Sequence, residues 1–97
     1  MKEVHLQIVN VNTGFCQITY KTKNDLGEII YYGLQDNGQK FGGIRLMRCT
    51  SDYEPSHEIK KIKPEYKFIF QEPTGESKLE NLCREFIKNF ATAQTGR

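Results

Sequence analysis

Apolar and polar residues alternate along most of the chain, which is the signature of strands that bury one face. Apolar positions fall at Val4, Leu6 and Ile8, then out of step at Val9 and Val11. This slip predicts a strand with a bulge or a change of buried face near Ile8. Asn12-Thr13-Gly14 reads as a turn. Residues 15–22 then alternate strictly, with Cys16, Ile18 and Tyr20 on one side and Gln17, Thr19 and Lys21 on the other. Together these segments predict a hairpin.

After the break at 23–27, residues 28–34 are rich in β-branched and aromatic side chains and end at the turn residues Asp36-Asn37-Gly38, predicting a third strand. Phe41-Gly42-Gly43 allows a kink before 44–49, where Ile44 and Leu46 face opposite to Arg45 and Met47. Residues 50–58 have no periodicity and contain Pro55, which predicts an exposed loop. Residues 59–63 fit either state. Residues 66–70 return to alternation, with Tyr66, Phe68 and Phe70 on one side, and predict a core strand.

The period then changes from two to 3.6. Ser77 and Glu80 form a capping box, and Leu79, Leu82, Cys83, Phe86 and Phe90 make one apolar stripe with Ile87 beside it. The expected fold is α+β: an antiparallel β meander of four to six strands within about 3–70, with one C-terminal amphipathic helix at about 78–91 packed on the sheet. A frayed tail follows at 92–97. Short turns between successive strands leave no βαβ crossover, and no glycine-rich phosphate motif is present, so dinucleotide-binding and P-loop chemistry are excluded.

Composition limits the remaining choices. The 97 residues are 37% hydrophobic and 27% charged, with 14 Lys and Arg against 12 Asp and Glu. One domain covering 1–97 and one core are expected. A net charge of +2 is too small to point to nucleic acid or an anionic membrane as the default partner. The N-terminus lacks the apolar run of a signal peptide, and no stretch approaches the about 20 apolar residues of a membrane span. Cysteines at 16, 49 and 83 are odd in number with no C-x-x-C pair, as in reduced thiols of a cytoplasmic protein. Their near-equal spacing hides no repeat, since the flanking residues share no pattern.

Few chemistries survive. Three scattered Cys and two His do not make a zinc site. Asp52, Glu54, His57 and Glu58 read as a solvated loop without the spacing of a cation site, and no pattern calls for a metal or cofactor. Cys49 and His57 are the one pair arguable as nucleophile and base, but a cysteine closing an apolar strand is expected to be packed. Residues 39–46 echo the aromatic strand of RNA-recognition motifs only at Phe41 and Gly42. Seven basic residues (Lys40, Arg45, Arg48, Lys60, Lys61, Lys63, Lys67) meet four acids between 40 and 67.

One helix covers one sheet face. If the side bearing Cys16, Ile18 and Tyr20 meets the helix, parity assigns Gln17, Thr19, Lys21, Ile29, Tyr31, Arg45, Met47, Lys67 and Ile69 to the other. Apolar and aromatic residues among cations suit a protein interface, unless the 50–58 loop and 59–63 fold over them as a sandwich. The expectation is a non-catalytic protein-binding or regulatory accessory module, docking through Lys21, Tyr31, Arg45, Met47, Lys67 and Tyr53 of the loop. Homodimerisation is one form such docking takes. The principal alternative is a single-stranded nucleic-acid binder using the same face, with Lys60 and Lys61 added. A small Cys-dependent enzyme is the second.

Overall fold

The computed structural model describes residues 2–11, 14–36, 43–60 and 65–95. The turn residues at 12–13 and 37–38, the kink at Phe41-Gly42 and the segment 61–64 lie outside these. The elements are β1 (Lys2–Val11), β2 (Ile18–Lys23), β3 (Ile29–Asp36), β4 (Ile44–Cys49), β5 (Pro55–Glu58), β6 (Tyr66–Phe70) and α1 (Lys78–Thr95). The strands form one sheet in the order β5-β4-β3-β2-β1-β6. All neighbours run antiparallel except β1 and β6, which are parallel.

The slip read near Ile8 is a bulge: Ile8 pairs with Tyr20 and Asn10 with Thr19, leaving Val9 as the extra residue. β1 also changes partner along its length. Its first half, from Lys2 to Leu6, pairs with β6, while Gln7 onward pairs with β2.

The sheet curls. Tyr32 on β3 and Phe68 on β6 have ring centroids 5.6 Å apart, although three strand spacings of a flat sheet would separate them by about 14 Å. α1 lies in the hollow and touches both β4 and β6. On this concave side Leu6, Ile18, Tyr20, Leu34, Leu46, Phe70, Cys83 and Ile87 form the main core. Phe90 anchors the helix, stacked on Phe68 at 6.2 Å and edge-on to Phe70 at 5.5 Å. The Tyr20 hydroxyl, buried with its ring, donates to the Gln71 carbonyl at 2.9 Å, so its oxygen is not left stranded.

Ser77 caps the helix start, the Glu80 amide donating to Ser77 Oγ at 3.1 Å and that hydroxyl donating to the Glu80 carboxylate at 2.9 Å. Arg84 ties the preceding connection down by donating to the carbonyls of Pro73 (2.8 Å) and Gly75 (2.6 Å). The helix runs past 91 through Thr95, because the sequence meets no breaker before Gly96 and Ala91 and Ala93 favour helix.

Two further differences have local causes. The expected loop at 50–58 contains β5, which pairs with the outer edge of β4; Pro55 is tolerated there because an edge strand can begin with a residue that lacks an N–H. β2 starts at Ile18 rather than 15. Cys16, expected beside Ile18 and Tyr20, therefore escapes the alternation and packs on the opposite, convex face with Met47 and Cys49.

Candidate functional site

Parity places Lys21, Tyr31, Arg45, Met47 and Lys67 on the convex face, yet the curled sheet spreads them across its width. Lys21 and Tyr31 are register partners on β2 and β3. Tyr53 reaches Tyr31 from the turn between β4 and β5, edge to face with centroids 5.0 Å apart. That turn is held by the Tyr53 amide donating to the Thr50 carbonyl and the Thr50 amide donating to the Glu54 carbonyl, both at 2.9 Å. Tyr53 has φ of 66°, the one non-glycine residue in the left-handed region among the described residues. A tyrosine there costs energy that glycine or asparagine would avoid.

Arg45 lies along β4, with Nε and Nη2 donating to Gln35 Oε1 at 3.1 and 2.7 Å. Its partner is a neutral amide, so its charge is not cancelled. Met47 is only 7% exposed and packs beneath this surface with Cys16 and Cys49. Lys67, on edge strand β6, is four strand spacings from β4, about 19 Å along a flat sheet. Among the described residues, Tyr53 packs on Tyr31 and Cys16 on Met47 and Cys49 at the convex side, while Ile59 packs against the concave core; residues 61–63 of the segment expected to fold over this side lie outside the described residues.

Beside Lys21 the sheet opens. The β1–β2 ladder ends at the pair Gln7 and Lys21, and beyond it the first half of β1 follows β6 away from β2. The gap is a cleft of about 630 Å³, with Val4, Ile30, Tyr32 and Phe68 among its apolar lining and Lys2, Glu3, His5, Lys21, Lys23 and Asp25 among its polar one. Lys2 pairs with Asp25 across it, and His5 Nε2 lies 3.5 Å from Glu3 Oε1. Among the described residues neither Lys21 nor Lys23 has a carboxylate partner. With Lys2 and Asp25 paired, Lys21 and Lys23 face Glu3 alone, and the balance of charge at the cleft is positive. Ile29, 53% exposed, is part of this lining and precedes Tyr31 on the same face of β3.

The expected nucleophile and base do not meet. His57 is the register partner of Arg48, and Cys49 that of Pro55, so Cys49 lies buried on the convex side while His57 is exposed on the other, its Nδ1 3.3 Å from Ser56 Oγ. Asp52, Glu54, His57 and Glu58 do not converge either: no group of three His, Cys, Asp or Glu able to hold a metal occurs among the described residues.

Two features escaped the reading of the sequence. One is the cleft, which exists only because β1 exchanges partners. The other is the contact of Cys16 with Cys49 above Gly33. A lone glycine inside an otherwise aromatic and β-branched strand signals close approach of another group, and Gly33 carried that signal. No family model matches the chain, and no curated protein or solved structure matches it either.

Proposed function

We propose that this chain is a non-catalytic protein-binding module whose convex face receives an extended, acidic segment of a protein partner. The observation that supports the reading is the cleft opened where β1 leaves β2, adjoining a surface that carries Ile29, Tyr31 and Tyr53. Interfaces concentrate their energy in anchors that fill pockets beside aromatic and Arg side chains. Here Val4, Ile30, Tyr32 and Phe68, of concave parity, give the pocket an apolar floor for an anchor, and Lys21 and Lys23, of convex parity, line it beside Ile29. Lys2 and Asp25 pair with each other, and Lys21 and Lys23 outnumber Glu3, which favours an acidic over a basic partner.

Peptide display against the wild-type chain tests this. Selected peptides are expected to combine an acidic residue with a large apolar one and to lose at least about tenfold in affinity, 1.4 kcal/mol, against Lys21→Glu/Lys23→Glu. Lys78→Glu, on the exposed start of α1, should leave affinity unchanged. Equal loss with both variants, or selection of basic peptides, would exclude the site. Binding of labelled single-stranded oligonucleotides that weakens steeply with salt would replace the protein partner with nucleic acid.

A further inference from the structure

Two buried nucleophiles play no part in that surface. Cys16 is 1% and Cys49 4% exposed, and they approach each other from either side of β3 at its glycine. A Cβ on Gly33 would lie 3.1 Å from Cys16 Cβ and 3.1 Å from Cys49 Sγ, and would collide with Cys16 Sγ. Both side chains therefore crowd the one place where β3 has no side chain, with both sulfurs within 3.1 Å of it, and Cys49 Sγ also faces the Met47 carbonyl at 3.9 Å. The Cys16 thiol donates to Cys49, which raises the pKa of Cys16 and lowers that of Cys49; burial adds to the rise at Cys16 and opposes the fall at Cys49, which Arg48 assists. Cys83 has no such neighbour: it lies on the helix, in the concave core.

We infer that Cys16 and Cys49 form a redox-convertible dithiol, which a low-molecular-weight disulfide oxidises to an intramolecular disulfide across Gly33. A sulfur–sulfur bond is about 2.0 Å long, and two thiols that share the space over Gly33 reach it by side-chain rotation and a shift of backbone. Cys16 can supply that shift because it precedes β2 and belongs to no ladder. The Cys49 thiolate attacks one sulfur of the external disulfide RSSR, forming a Cys49–SR bond and expelling RS⁻, which takes up the proton Cys49 gave. Cys16 then gives up its proton and attacks Cys49 Sγ, breaking the Cys49–SR bond. The second RS⁻ leaves and is protonated. The protein loses two electrons and two protons, and RSSR becomes two RSH.

The test uses the folded wild-type chain, equilibrated in buffers of graded reduced-to-oxidised glutathione ratio, acid-quenched, alkylated after unfolding and mapped by mass spectrometry. The expected product is one species lighter by two hydrogens than the reduced chain, with residue 16 linked to residue 49, Cys83 alkylated, and complete return on adding dithiothreitol. Cys16→Ser should stop at a glutathione adduct on Cys49. The inference is overturned if all three thiols stay reduced at every ratio, if a link involves Cys83, if wild type halts at an unresolved adduct, or if the link forms only in denaturant. Because the deciding measurement is on wild type, poor folding of a variant does not blur the outcome.

Discussion

The two faces of the sheet bury side chains in different ways. The concave face is filled by large rings and aliphatic groups, Tyr20, Phe70, Phe90, Leu6 and Leu34, brought together by the helix. The convex face has no helix; it closes a small cluster, Cys16, Met47 and Cys49, with Tyr31 against it. Large rings tolerate a curled surface because each spans several strands. On the outside of the curl small sulfur groups suffice, and their fit depends on one absent side chain, at Gly33. The concave face thus derives its stability from area, and the convex face from local shape.

The largest break in that comparison should come from Phe70→Ala, which removes a ring that touches Tyr20, Phe68 and Phe90. A loss of about 3 to 5 kcal/mol in urea unfolding is expected. A loss under 1 kcal/mol would mean the concave core does not carry the fold.

Gly33→Ala probes the convex face by overfilling it, at an expected cost of about 1 to 3 kcal/mol. Adding Cys16→Ala to it should recover part of this, because the two side chains compete for one space. Additive losses in the double mutant would show that Cys16 does not occupy the place above Gly33.

Tyr53 offers a finer comparison. Tyr53→Gly relieves the left-handed strain and Tyr53→Ala keeps it, while both lose the ring contact with Tyr31. The glycine variant should be more stable by about 1 kcal/mol. Equal midpoints would mean that the turn relaxes without its tyrosine.

The smallest effect is a slope with pH. Burial, with a contribution from Glu80, pushes the Cys83 thiol from 9.0 up to about 11. The unfolded chain then loses this proton first, so stability is intact below pH 9.0 and falls as the pH rises towards about 11. Cys83→Ala should flatten that decline. An unchanged slope would assign it to other groups, among them Tyr20, whose hydroxyl burial also holds above its ordinary pKa.

What the sequence determined by itself is local and periodic. Alternation over β2, β4 and β6, the β-branched and aromatic run of β3, the slip that became the bulge at Val9, and the Ser77–Glu80 start of α1 with its apolar stripe follow from local propensity and backbone geometry that neighbouring residues set. Parity also assigned Lys21, Tyr31, Arg45, Met47 and Lys67 to one face. Tertiary structure decided what lies between distant segments. The return of β6 alongside β1 in parallel, the curl that lets α1 touch both β4 and β6, the cleft where β1 abandons β2, and the meeting of Cys16 with Cys49 have no signature at short range. Each depends on which strand becomes a neighbour, and that choice is made by burying the aromatic residues of β3, β6 and α1 in one hollow. Alternation specifies which side of a strand is buried; it carries no information about the strand that will lie beside it.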